Sequence, residues 1–305
     1  MGSYLGKRIG YSLISLVGLV VLVFFLARLT GDPTDLFLPM DSTLQVRQEF
    51  AALHGFDKPV TTQFLHYLGN LAQFDFGESL RQRKPALDLI MQALPTTLLL
   101  SFYAMSISLL IAIITGSVAA YRPGGLFDRI ASLISLAGAS IPNFWVAIVG
   151  VLIFSVAFRV LPTSGTGTPL HWVLPVMVLF IRPCGLLTQV VRSSMMTVLN
   201  STYVKTAQAK GVRPKRIIFV HCLRNAMLPI VTVAGDQAAG MINGAVIAET
   251  IFGFPGIGKL MIDAILFRDF AVIQAAVLIT AIGIFALNIM VDVIYAVLDP
   301  RIRYN

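Results

Sequence analysis

The residue types that carry covalent or phosphate chemistry are sparse and scattered in this chain. Gly253-Phe254-Pro255-Gly256-Ile257-Gly258-Lys259 fits the spacing G-x-x-x-x-G-K of a phosphate-binding loop. Such a loop continues with a Ser or Thr that holds Mg²⁺, and here Leu260 follows; Pro255 also removes one backbone N–H from the cradle. The segment therefore predicts a structural turn at Pro255, Gly256 and Gly258, and a chain that does not hydrolyse ATP itself. Cys184 and Cys222 lie far apart and outside any C-x-x-C spacing, which predicts inert buried thiols. His54, His66, His171 and His221 form no metal-ligand pair, so no metal site is expected. An intramembrane hydrolase needs a nucleophile with its base, or two carboxylates, at one depth. The ionisable residues in the apolar stretches are Arg182 and Asp236, with Glu249 and Asp292 near the ends, and they make no such set.

The elements that position these residues follow from composition. Of 305 residues, 56% are apolar, 12% are charged, and mean hydropathy is +0.81. A soluble domain carries about 25% charge, and a disordered chain is richer still in polar groups. The fold class is thus an all-α polytopic membrane protein. Charge is absent from Ile9–Ala27, Leu89–Tyr121, Ile130–Phe158 and Phe270–Val291; His171–Val191 holds only Arg182, and Asn225–Ala248 only Asp236. At roughly 20 apolar residues per crossing these give six transmembrane helices. The first apolar run has 19 residues and no A-x-A site after it, so it is expected to be a retained span and not a cleaved leader.

Basic residues set the orientation. With both termini in the cytoplasm, the cytosolic segments hold Lys7, Arg8, Arg122, Arg129, Arg192, Lys205, Lys210, Arg213, Lys215, Arg216, Arg224, Arg301 and Arg303. The opposite segment, residues 31–92, has five basic and eight acidic residues. The net charge of +8 is then topology and no nucleic-acid footprint. Three regions result: an N-terminal tail and first span at 1–30, an extracytoplasmic helical insertion at 31–92, and a core of five spans at 93–305. In the insertion, Val60, Phe64, Leu68 and Leu71 make one apolar helix face after Pro59.

Between spans four and five lies a cytosolic loop, about residues 195–225. Ser201 or Thr202 suits a helix N-cap, Gly211 the left-handed position past a helix end, and Pro214 the first turn of the next helix. The spacing predicts a short helix, a glycine turn and a second helix returning to the membrane. Thr206, Ala207 and Ala209 are small enough for close approach by a partner, while Lys205 and Lys210 keep another face wet.

This loop resembles the "EAA" loop of bacterial ABC-importer permeases, with its A-x-x-x-G core at Ala207 and Gly211 and its closing element at Leu228-Pro229. Tyr203 to Gly211, with Arg224-Asn225-Ala226-Met227-Leu228-Pro229 downstream, is similar to the dipeptide/oligopeptide/nickel subfamily. Further matches are Gly31-Asp32-Pro33, Asp75-Phe76-Gly77-Glu78-Ser79, Leu94-Pro95-Thr96-Thr97, Phe252 to Gly258, and Asp299-Pro300-Arg301. The subfamily carries an acidic residue before the tyrosine, where this chain has Thr202, and Lys205 fills the loop's Glu position.

The resemblance implies a type I importer permease in a bacterial inner membrane. It implies a homologous second permease subunit as heterodimer partner, two cytosolic ABC ATPases that carry ATP and Mg, an extracytoplasmic substrate-binding protein, and surrounding lipid. It also implies that Tyr203, Thr206, Ala207, Ala209, Lys210 and Gly211 belong to the ATPase-coupling loop. Short peptides are the expected cargo, with nickel or a metal chelate as alternative; a rival class is an ATPase-independent channel or secondary transporter.

Arg182 lies ten residues before Arg192, and Asp236 twelve beyond Arg224. At about 1.5 Å per residue both sit roughly 15–18 Å from the cytosolic side. An intramembrane charge is costly unless paired or wetted. The two are expected to form an ion pair or to line the translocation path.

Overall fold

The computed structural model describes residues 2–29, 34, 38, 42–79 and 81–298. The Gly31-Asp32-Pro33 and Asp299-Pro300-Arg301 motifs lie outside the described residues. Among the described residues, five helical stretches are long and apolar enough to cross a membrane: Arg8–Leu29, Ala86–Tyr121, Leu170–Leu199, Pro214–Phe252 and Phe270–Ile294. A sixth candidate is a pair of apolar helices bent at a short break, described below. Contacts divide the chain into two units, Met1–Pro95 with Lys259–Phe285, and Thr96–Gly258 with Ala286–Asn305.

In the first unit, α1 (Gly2–Leu29) is followed by α2 (Leu44–His54) and α3 (Val60–Ala72). Thr43 caps α2 by accepting the Val46 N–H, and Gly55 ends it at φ 68°. The apolar face of α3 meets the end of α1 through rings: Phe24 lies 5.1 Å from Phe64 and stacks on Tyr67 at 5.4 Å. Strands β1 (Glu78–Ser79) and β2 (Lys84–Pro85) pair antiparallel, Ser79 opposite Lys84. The Ser79 hydroxyl donates to Asp269 Oδ2 at 2.5 Å, which pins this hairpin beside α10 (Ile257–Leu266) and α11 (Phe270–Leu298).

The long helix α4 (Ala86–Tyr121), which belongs to the second unit from Thr96 on, leads to α5 (Leu126–Ser140), α6 (Asn143–Gly150) and α7 (Leu170–Leu199). The sequence predicts a third span over Ile130–Phe158. The structure instead bends it by 100° between Ser140 and Asn143. Pro142 is the reason: the residue before a proline is pushed out of the helical region, and Ile141 is extended at φ −76°, ψ 129°. Past α6 the chain widens into π-type turns over Val151–Ala157.

Helices α5 and α7 are zipped antiparallel. Asp128 pairs with Arg192, Gln189 Nε2 donates to the Ser132 carbonyl at 3.2 Å, and Gly185 faces Ser135 and Ala139. Each step moves three or four residues up one helix and down the other, the repeat that keeps contacts on one face. Small residues at the crossing let the backbones approach, as in other membrane helix pairs. Helices α4 and α7 run parallel, since Ser108 donates to the Phe180 carbonyl at 3.0 Å and Thr115 meets Thr188 at 3.3 Å.

Candidate functional site

The loop after α7 folds as its spacing predicts, with one difference at the cap. Helix α8 spans Thr202–Ala209, and Gly211 follows at φ 74°. The Val212 N–H reaches back to the Ala207 carbonyl at 3.1 Å and that of Gly211 to Gln208 at 2.9 Å, closing the turn. Ser201 occupies the N-cap position, but its hydroxyl donates to the Val198 carbonyl at 2.6 Å instead of accepting from α8. The helix is held from below by Val204, which is fully buried with Met195, Ile217, Ile218 and Cys222. Asn225 donates to the Tyr203 hydroxyl at 2.7 Å, tying the loop to the next membrane helix.

Tyr203, Thr206, Ala209, Lys210 and Gly211 are exposed, and Ala207 is half-buried. The loop therefore offers a short, small-residue ridge on a rigid base. Pro214 opens the return segment, as its position suggests, but only Pro214–Arg216 is a regular turn. Ile217–Cys222 is π-helical and leads into α9 (Leu223–Phe252).

At the other end of α9, the segment that imitates a phosphate loop wraps a buried carboxylate. Gly253 ends α9 at φ 67°. Phe254 is buried edge-on against Trp172 at 5.0 Å. Glu249 is fully buried; it accepts from Thr97 Oγ1 at 2.6 Å, and that oxygen accepts the Ile257 N–H at 2.9 Å. A side chain at Gly256 would collide with the Glu249 carboxylate, and one at Gly258 would meet the backbone of Val246. Pro255 is exposed at the tip. Space at Gly256 and Gly258 is thus taken by α9, leaving no open cradle for a phosphate. Glu249 and Thr97 escaped the sequence reading as a pair because 152 residues separate them.

Between these ends α9 carries a polar face. Beyond Asn225, every exposed residue of the helix falls on one stripe: Pro229, Thr232, Asp236, Gly240, Asn243, Ile247 and Thr250. The steps of three or four residues make one face about 32 Å long at 1.5 Å per residue. A face of Asn, Thr and Asp at membrane depth is stable against water or protein, not hydrocarbon. Asp236 sits near its middle, with a single side-chain contact at 3.5 Å from its neighbour Gln237. On α7, Arg182 is the one exposed residue between Val173 and Ser193. Arg182 and Asp236 make no ion pair with each other within 4.0 Å: both side chains project outward, while small and apolar residues fill the interface between their helices. The pairing half of the expectation is not realised in this chain; the outward placement is compatible with the other half.

Among the described residues no group of three His, Cys, Asp or Glu side chains is placed to hold a metal ion.

A bundle of apolar helices long enough to cross a membrane, with a short small-residue ridge after α7 and a polar stripe along one span, is the architecture of a polytopic membrane protein. Residues 112–304 match the family described as "Binding-protein-dependent transport system inner membrane component". The chain is 38% identical over 336 residues, covering all of both chains, to the di/tripeptide transport system permease DppB of Pseudomonas aeruginosa (strain UCBPP-PA14). It is 37% identical over 316 residues, again covering all of both, to the oligopeptide transport system permease AppB of Bacillus subtilis (strain 168). A solved inward-facing structure of the MetNI methionine ABC transporter shares the fold at TM-score 0.59 and 14% identity, over 70% of this chain and 97% of that one. The chain belongs to the binding-protein-dependent inner-membrane permease family and has the type I ABC importer permease fold.

Proposed function

We propose that this chain is the transmembrane permease subunit of an ATP-driven, binding-protein-dependent importer of short peptides. It forms half of the translocation path and pairs with a homologous second permease. Two cytosolic ATPases, which carry ATP and Mg, dock on α8, and an extracytoplasmic binding protein delivers the cargo. Both termini lie on the cytoplasmic side with α8, in keeping with the basic short loops.

The observation that carries this reading is the polar stripe of α9, which runs from beside the docking loop to the Glu249 turn along an otherwise apolar span. Helix α8 is a rigid ridge suited to a groove on a partner, and its base is continuous with α7 and with the segment entering α9. A push on α8 is therefore delivered to both helices as a rigid-body movement. The peptide cargo follows the full-length relatives, whose names specify di/tripeptides and oligopeptides. The stripe itself has no His or Cys, the side chains that would favour nickel.

The test is uptake by the complete complex in proteoliposomes, with labelled dipeptide and with a nickel salt as separate cargoes. ATP-dependent dipeptide accumulation is expected. Accumulation that persists without the ATPase subunits would make the chain a channel or secondary transporter. Nickel uptake without peptide uptake would overturn the cargo.

A further inference from the structure

Between α8 and the polar stripe of α9 the helical hydrogen-bond ladder is interrupted three times. Over Ile217–Cys222 the turns are π-type, and the Leu223 N–H reaches back five residues to the Ile218 carbonyl. Such turns hold one residue more than an α turn and frequently mark functional sites. At His221 the carbonyl is taken up by side chains: Asn225 Nδ2 donates to it at 3.1 Å and Tyr203 Oη at 3.3 Å. At Pro229, inside α9, no N–H exists for the Asn225 carbonyl one turn back. Prolines and π-type turns are where helices bend, so residues 217–229 form the weak stretch of an otherwise continuous helical rod.

Helix α8 holds this stretch in two ways. Val204 packs against Ile217, Ile218 and Cys222, an apolar contact that resists being pushed together. The second hold is polar and directional. Asn225 Nδ2 donates to Tyr203 Oη at 2.7 Å, and Tyr203 donates in turn to the His221 carbonyl. Both amide protons of Asn225 and the one hydroxyl proton of Tyr203 are used within this triangle. Tyr203 and Asn225 are exposed. Hydrogen bonds open to water add little to fold stability, so the triangle is better suited to orient than to stabilise. Asn225 also stands four residues before Pro229, the first residue of the stripe, and therefore on the same face of the helix.

Resting on the reading of α8 as the ATPase-docking helix, we propose that Tyr203 and Asn225 are the coupling residues of this chain. They clasp α8 to the π-type turns, so that residues 217–229 bend as a hinge when α8 is displaced and the polar stripe turns with the docking helix. Val204 transmits a push; the clasp transmits a pull and a rotation as well. Both are positioning residues: they act on the stripe through the helix and need no contact with the cargo.

The experiment uses the complete complex in proteoliposomes, with labelled dipeptide and the binding protein. Peptide taken up per ATP hydrolysed is read beside membrane level and co-purified ATPase subunits, for wild type, Tyr203→Phe, Asn225→Leu and the double variant. Tyr203→Phe keeps the ring and Asn225 lies off α8, so levels and bound ATPases near wild type are expected. Peptide per ATP should fall about fivefold in each single variant, the size of one partly exposed hydrogen bond. The double should be little worse than the stronger single, because each change already removes the bond the two residues share. Wild-type coupling in Tyr203→Phe, with loss confined to Asn225→Leu, would make Asn225 part of the path and overturn the clasp. Losses that multiply in the double would show that the two act apart and overturn it too. A fall in membrane level with peptide per ATP unchanged would leave the pair a structural tie only. Gly211→Val is the control for the docking reading: bound ATPases and normal uptake in that variant would take docking away from α8, and the clasp with it. Lost ATPases there, together with uncoupling in the clasp variants, support both.

Discussion

Thr97 and Glu249, on α4 and α9, are joined through one hydroxyl. Thr97 Oγ1 donates to the carboxylate at 2.6 Å and accepts the Ile257 N–H at 2.9 Å. The turn after α9 is thereby tied to α4 and to the last helical turn of α9 together. Thr97→Val keeps the shape and removes both bonds, so it is expected to cost roughly 1–3 kcal/mol for the Ile257 N–H left unmatched. Gly256→Ala adds a Cβ where the carboxylate already lies. Both variants should lower the thermal midpoint of the purified complex, and Glu249→Gln, which retains an acceptor, should lower it less. Wild-type midpoints for Thr97→Val and Gly256→Ala would show that the turn is held by other contacts.

The Asp128–Arg192 pair joins the start of α5 to α7 about two turns before the end of α7. Asp128 is only 3% exposed and also accepts the Gly124 N–H at 2.8 Å, so it fixes the loop between α4 and α5 as well. Asp128→Ala leaves Arg192 without its carboxylate. Removing one partner of a buried pair costs roughly 3–5 kcal/mol, and the lower end is expected here because Arg192 is partly open to solvent. Arg192→Ala should be similar, and the exchange of the two residues should recover part of the loss, read as protein level in the membrane. Additive losses in the exchanged protein would mean that the pair is incidental.

The spans were legible because a bilayer demands charge-free runs of set length, and the helix-turn of the loop around α8 because Gly211 and Pro214 punctuate the chain locally. The bend at Ile141-Pro142 was also written locally, yet the unbroken apolar run masked it. The Asp128–Arg192 and Thr97–Glu249 contacts, 64 and 152 residues apart, had no sequence signal beyond two polar types each. The stripe on α9 was present in the spacing of Asn225, Thr232, Asp236 and Asn243. It became visible as a face only once packing showed that the intervening residues are covered.

In the turn after α8, Gly211 is left-handed and has open space around its Cβ position, so substitution there strains the backbone alone. Gly211→Ala should be mild, about 1 kcal/mol, while Gly211→Val adds β-branching that resists positive φ. Ala207→Asp places a charge at a half-buried position on the ridge. Gly211→Val and Ala207→Asp are expected to leave the protein inserted but to weaken co-purification of the ATPase subunits and peptide uptake. Normal transport by both would remove this loop from coupling. Lys259→Ala, by contrast, should leave ATP hydrolysis by the assembled complex unchanged, because Lys259 bonds Asp263 at 2.9 Å within its own helix.

Asp236 and Arg182 separate a path role from a structural one. A structural ion pair would make each single neutralisation lower protein level, with the double change restoring it. The two side chains instead project outward and make no contact with each other within 4.0 Å, so neutralising either removes no buried bond. Asp236→Asn and Arg182→Gln are therefore expected to leave membrane levels near wild type, since neutral side chains are cheaper at that depth. Peptide uptake should fall in each, roughly tenfold if one ion–ligand contact of about 1.4 kcal/mol is lost. The double variant should stay impaired, because no mutual interaction exists to be rescued. Quantitative blots of membrane fractions alongside initial uptake rates decide the matter. Restored level and uptake in the double variant would show that the two charges meet in a conformation other than this one, and uptake unaffected in either single variant would remove that residue from the path.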